Sequence, residues 1–289
     1  MNKIGISIPW DYLSGKNRTS DAESLKEIFP DPIAFIDQLK ENGVSSIELR
    51  HRDISMPVSD MKTVFRLLKK MKIGFSIHSD NLTEHSDWNF NTIFPWVKSL
   101  STVYSVFPEL MVTLHPFCAL GSSNEILSRR TADLLIRLQK KIDKYEFPIT
   151  LALENQRSKG MTDPGTIFTG VLDIVNETGI SELGTCWDMG HSTANNNINA
   201  NDFPLYPESD FVFRTVHTHI HDLGPNGKTH WPIKENKVPF RDYISRLQTA
   251  EYNGIYNLEL SFSRFKDEEN GKTLILDSII KLSEMLTTT

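Results

Sequence analysis

The chain has 289 residues, 39% of them hydrophobic and 24% charged, with a formal net charge of −6. Barrel folds routinely reach this length as one domain, and it buries a core without disulfide staples. The acidic balance argues against a protein that coats nucleic acid, since neutralising phosphates needs a basic surface. Two cysteines, Cys118 and Cys186, make neither a disulfide framework nor a CxxC zinc ribbon, and no apolar stretch is as long as a signal sequence or a membrane span. A cytoplasmic protein with no membrane partner is therefore expected.

One unit recurs along the chain. A short β-branched run ends on a polar residue and is followed by a loop and a segment of helical period. The runs, in order, are KIGISIP (3–9), SSIELR (45–50), IGFSIH (73–78), LMVTLH (110–115), ITLALE (149–154), LGTCWD (183–188), FRTVHTHIHD (213–222) and YNLEL (256–260). Between the first two, DPIAFIDQLKENG has an N-cap in Asp31, a first-turn proline in Pro32 and a stop in Gly43, with Phe35, Ile36 and Leu39 on one face. Further on, Met61, Val64, Phe65, Leu68 and Met71 form a second apolar stripe, and the basic stretches at 66–72 and 128–144 read as solvated outer faces. The Asn/Pro-rich stretch after Asp188, MGHSTANNNINANDFPLYPESD, reads as a long loop with at most one short helix. Alternating strand and helix periods imply parallel strands with helical crossovers, and eight such units predict a (β/α)8 TIM barrel over residues 1–289. No GxGxxG turn follows the first strand, which argues against a doubly wound sheet.

The polar residues at the strand ends are Glu48, His78, His115, Glu154, Asp188, His219 and Glu259, spaced by about one βα unit each. In a barrel these ends converge on one mouth, where active sites sit. A single histidine there is ordinarily a hydrogen-bonded core residue. Several carboxylates crowded into one cavity, however, would each cost several kcal/mol in repulsion and desolvation unless a cation joined them. Glu154, Asp188, His219 and Glu259 make a plausible ligand set for one divalent metal ion, with Mn, Mg, Co and Zn all compatible.

In these motifs the sequence resembles the xylose isomerase-like TIM barrels, a superfamily of sugar isomerases, epimerases and endonuclease IV-type enzymes. LALENQ resembles the family's fifth-strand E-N motif, CWDMGH its sixth-strand D-x-G-H, HTHIHD its seventh strand and NLELS its eighth-strand glutamate. The resemblance implies a metal site of Glu154, Asp188, His219 and Glu259, with Glu154 and Glu259 as the catalytic pair. It implies a divalent-metal-dependent isomerase or epimerase of a sugar or hydroxy-ketone, working by proton transfer through an enediolate. His191 matches a residue that contacts substrate or a further metal.

Other readings stay open. A lyase of the inosose dehydratase type would use nearly the same residues, and a non-catalytic binding barrel would not need all four ligands intact. An endonuclease IV-like zinc phosphodiesterase acting on abasic DNA would add His78, His115, His191 and His230 as possible ligands, but Lys228 stands where that family carries an aspartate. Of the alternate-position histidines in HTHIHD, His217 and His221 lean inward with His219. They are candidates for substrate contact together with Trp10, Glu48, Arg50 and Arg157. For Arg50, with Arg52, an ion pair with neighbouring acids is slightly preferred over an anionic group on the substrate, and Arg157 carries the same ambiguity. Trp88 reads as packing. A small-molecule sugar or polyol-derived substrate is the expected partner, and exposed barrel helices would suit a homodimer.

Overall fold

The computed structural model describes residues 3–50, 58–79, 110–268 and 270–287; Arg52 and Trp88 lie outside them. Each β-branched run forms a strand: β1 Lys3–Pro9, β2 Val44–Arg50, β3 Gly74–His78, β4 Leu110–Leu114, β5 Ile149–Glu154, β6 Gly184–Asp188, β7 Thr215–Ile220 and β8 Ile255–Leu258. They pair in parallel and in sequence order, and β1 closes on β8 through pairs such as Lys3 with Ile255 and Ile6 with Leu258. The result is the eight-stranded (β/α)8 barrel that the alternation of periods predicts.

Around it lie α1 Trp10–Leu13, α2 Ser20–Ile28, α3 Pro32–Glu41, α4 Val58–Met71, α5 Asn124–Lys144, α6 Phe168–Thr178, α7 Met189–Ile198, α8 Ser209–Phe213, α9 Phe240–Thr249 and α10 Gly271–Thr287. Local chemistry sets several boundaries. At α3, Asp31 accepts a hydrogen bond from the Ile33 amide at 2.8 Å, Pro32 occupies the first turn, and Phe35, Ile36 and Leu39 are buried. Gly43, at φ +87, then turns the chain into β2. In α4, Met61, Val64, Phe65 and Leu68 face the barrel, while Arg66, Lys69 and Lys70 are exposed. Both cysteines are free and buried. No helix among the described residues is long and apolar enough to cross a membrane.

The stretch after Asp188 departs from the long loop expected of its composition, because residues 189–198 and 209–213 are helical. Asp188 itself caps α7, accepting from the His191 amide at 2.6 Å. Asn195, buried on the inner face of α7, donates to the carbonyls of Gln156 (2.8 Å) and Thr166 (3.1 Å) and accepts from the Ser158 amide (2.8 Å). Poor helix formers are held helical here by tertiary hydrogen bonds, which propensity does not register.

The barrel lumen is not wholly aliphatic. Glu48, fully buried, accepts from Ser7 Oγ (2.6 Å), Asn257 Nδ2 (3.0 Å), His217 Nε2 (2.9 Å) and His219 Nε2 (3.1 Å). Strands β1, β2, β7 and β8 are thereby cross-linked through one carboxylate.

A second buried carboxylate organises the loop after β7. Asp222 pairs with Trp231 as an antiparallel bridge, and its carboxylate accepts from the amides of Lys234 (3.2 Å), Asn236 (2.7 Å) and Lys237 (3.0 Å). The loop delivers His230 at φ +58, a left-handed conformation that costs a residue with a Cβ about 1 kcal/mol and is held by these flanking bonds. Asp222→Ala strips four amides of their acceptor, those three and that of Leu223 (2.9 Å), and a loss of about 3 kcal/mol is expected by urea denaturation. A midpoint indistinguishable from wild type would show that the carboxylate does not organise the loop.

Candidate metal centre

The C-terminal ends of the strands surround a cavity of about 530 Å³. Two groups of donor side chains meet at its floor, each with ligand-type atoms within 4.8 Å of one another: His78, Glu154, His219 and Glu259, and Asp188, His191, His221 and His230. Glu154, His219 and Glu259 thus come together as the sequence implies. Asp188, expected with them, falls in the second group, and His78 of β3 completes the first.

The groups are joined through the glutamates. Glu154 Oε2 lies 2.9 Å from His115 Nε2 and 3.2 Å from both His78 Nε2 and His219 Nδ1, while Oε1 lies 3.5 Å from His191 Nδ1. Glu259 Oε1 is 3.6 Å from His78, and Oε2 is 3.5 Å from His219 and 3.3 Å from His230. In the second group, Asp188 Oδ1 is 3.2 Å from His221 Nε2 and Oδ2 is 3.2 Å from His191 Nδ1.

These contacts test whether the residues fit a metal ion. Glu154 Oε1, Asp188 Oδ2, His219 Nδ1, His221 Nε2 and Glu259 Oε2 are buried and have no hydrogen-bond partner among the described residues, although an opposing donor or acceptor lies within 3.6 Å of each. They are close but not aligned on one another. Donors about 2.1 Å from a shared ion stand about 3.0–3.4 Å apart. The residues fit a divalent cation, and carboxylate plus imidazole suits Zn, Mn, Co or Mg.

Electrostatics agree with this fit. Burial alone would raise the pKa of Glu154 and Glu259, but His219 with His115 or His230 outweighs it and holds both well below the usual carboxylate range. Asp188 is lowered too, against burial, by His191 and His221. Burial would depress His78, yet Glu154 and Glu259 raise it to about 9, while burial prevails at His230 and takes it to about 3. Protons on imidazoles here supply the positive charge that a cation would supply.

The remaining candidates are distributed as follows. Glu48 was expected at the mouth, but β2 continues two residues past it to Arg50, which leaves Glu48 inside the barrel with His217 and neither of them lining the cavity. Glu48 instead accepts a hydrogen bond from His219 Nε2, leaving Nδ1 to face Glu154 and Glu259. Trp10 is buried at the start of α1 and is not among the described residues that line the cavity. His221 is fully buried in the second donor group. His115 and Arg157 line the cavity, and so does Arg50, which also forms the ion pair preferred for it, with Asp21 at 2.6 Å.

Three contributions were not read from the sequence. Asn155 clamps β5 to β6 by accepting from the Asp188 amide (2.8 Å) and donating to its carbonyl (3.0 Å), which explains the asparagine of the E-N motif. Arg264 and Lys159, on loops after β8 and β5, also line the cavity. Gly190 lies against the His221 ring, where a Cβ would come within 1.9 Å of Cε1.

A 70-residue stretch is 36% identical to an uncharacterised protein of Methanocaldococcus jannaschii, covering 24% of this chain and 26% of that one. Among solved structures, the chain is similar over 99% of its length to a D-tagatose 3-epimerase-like protein (18% identity, 97% of that chain, TM-score 0.66). It is also similar over its whole length to L-ribulose 3-epimerase (12% identity, 95% of that chain, TM-score 0.64). A third likeness is to the IolI protein with a binding zinc atom (14% identity, 99% and 98% coverage, TM-score 0.64). At these identities the structures speak for the fold. A profile of the xylose isomerase-like TIM barrel matches residues 109–280, which carry every donor of both groups except His78, and the chain belongs to that family.

Proposed function

We propose that this protein is a divalent-metal-dependent isomerase or epimerase of a sugar or related hydroxy-ketone. The observation that carries the reading is that Glu154 and Glu259, on strands three apart around the barrel, reach one cavity from two sides around a shared donor group. Membership of a family whose solved structural likenesses include sugar 3-epimerases supports it.

His78, Glu154, His219 and Glu259 would hold the cation, which supplies Lewis acidity for the negative charge that develops on a substrate carbonyl oxygen. One glutamate takes the proton from the carbon beside the carbonyl, and the other returns a proton from the opposite face. The one that returns a proton must enter the step protonated, with the substrate bound. The surrounding imidazoles keep either glutamate ionised despite burial, as the one that takes the proton must be. Arg50, 3.6 Å from Glu259 Oε1 and fixed by Asp21, adds to this at Glu259. Glu48 orients His219 from below. The same residues serve a dehydratase on a cyclic hydroxy-ketone, with the returned proton going to a leaving hydroxyl.

The second donor group favours one other reading, a metal-assisted phosphodiesterase. Two or three ions would then sit across Glu154 and Glu259, in line with multi-ion clamps on phosphoryl oxygens. The lysine at 228 and the net charge of −6 weigh against it.

Metal content separates the two readings. Protein purified without chelator is expected to carry about one divalent ion per chain by mass spectrometry, whereas two or three zinc ions would move the assignment to the phosphodiesterase. Glu48→Gln is expected to weaken that metal by about tenfold or more by releasing the orientation of His219; unchanged affinity in a chelator competition would remove Glu48 from this role. Glu259→Gln is expected to abolish deuterium exchange from D2O into a ketose that the wild type exchanges. Exchange at the wild-type rate would mean that Glu259 is not one of the two bases.

A further inference from the structure

The upper wall of the cavity carries more positive charge than proton transfer requires. Arg157 and Lys159, on the loop after β5, and Arg264, just after β8, all line it. Arg50, which also lines it, is neutralised by Asp21 and Glu259. Arg157 and Lys159 have no hydrogen bond or ion pair with any described residue. Arg264 donates to the Thr229 carbonyl (2.5 Å), Thr229 Oγ1 (2.9 Å) and His230 Nδ1 (3.2 Å), all neutral acceptors.

The loop bearing Arg157 is built rather than loose. Asn195, 2% exposed, grips the Gln156 carbonyl and the Ser158 amide on either side of Arg157, and the Gln156 amide donates to the Gly165 carbonyl at 2.6 Å. A half-buried arginine is thus held at a cavity wall with no partner among the described residues. Arg157, Lys159 and Arg264 bring three cationic side chains to one cavity with no carboxylate ion pair among the described residues. Like charges gathered at one wall are relieved by an anion, and guanidinium groups match the geometry of phosphate oxygens.

We propose that Arg157, Lys159 and Arg264 form an anion subsite and that the substrate is a phosphate monoester, the phosphate lying against this wall. The choice of a sugar-like hydroxy-ketone for the rest of the molecule rests on the isomerase reading; the anion subsite does not. Three cationic groups suit a phosphate dianion better than a single carboxylate charge. The loops after β5 and β8 also bear the two catalytic candidates, Glu154 and Glu259, at their bases, so an anion held here would fix the substrate relative to both.

The test is calorimetric titration of inorganic phosphate into manganese-loaded full-length protein. Binding is expected in the wild type, about tenfold weaker in Arg157→Gln and in Lys159→Gln with metal content unchanged, and partly recovered in Arg157→Lys. No binding would overturn the proposal. So would equal affinity in both glutamine variants with loss of binding on chelation, which would place the anion on the metal. A sugar acid displacing phosphate more effectively than a sugar phosphate would overturn the choice of a phosphate monoester. Deuterium exchange into paired phosphorylated and neutral ketoses is measured alongside. If neither exchanges while phosphate binding keeps its dependence on Arg157, the isomerase reading fails and the subsite stands.

Discussion

Everything at the mouth of this barrel depends on the burial of carboxylates. Glu48, Glu154 and Asp188 have no solvent exposure and Glu259 has 4%. Charges so placed are sustained only by close positive partners. The chain surrounds them with imidazoles in two tiers. The lower tier ties Glu48 to His217 and His219 and closes a polar plug with Ser7 and Asn257. The upper tier sets Glu154, Asp188 and Glu259 among His78, His115, His191, His221 and His230. His219 belongs to both, with one ring nitrogen on Glu48 and the other on the glutamates above, so the lower tier determines which nitrogen the upper tier can use.

The same economy extends to the loops. Several of the described segments that frame the cavity are fixed by a buried polar side chain. Asn155 binds the backbone of Asp188, Asn195 binds the loop after β5, and Asp222 gathers the loop after β7. Asp21, on α2, holds Arg50 and also accepts from the Ser263 amide after β8. The loops are therefore tied to neighbouring elements through hydrogen bonds as well as through packing.

The barrel was legible in the sequence because period-2 runs and capped amphipathic segments are local signals; Ile149–Glu154 and Lys3–Pro9 begin and end where their composition says. Which carboxylates and imidazoles gather near the mouth was largely legible too, since strand ends converge in this topology. What was not legible depended on distance across the barrel. Where Glu48 sits follows from how far β2 runs beyond it, and whether Asp188 joins Glu154 or His221 follows from side-chain direction. Helix α7 was hidden because its support comes from residues such as Gln156 and Thr166, far from it in sequence. Arg264 was missed because a lone arginine in FSRF has no pattern, and only the closed barrel brings it to the cavity that Arg157 lines.

Gly190 offers no ligand atom, yet the space beside its α-carbon is where the His221 ring lies. One added methyl would evict that imidazole from the neighbourhood of Asp188 while leaving Glu154, His219 and Glu259 untouched. Whether His221 can stand beside Asp188 thus turns on a residue defined by what it lacks. In a barrel of this kind, counting histidines and carboxylates gives only an upper limit on how many of them can face inward together; the vacancies between them set the number.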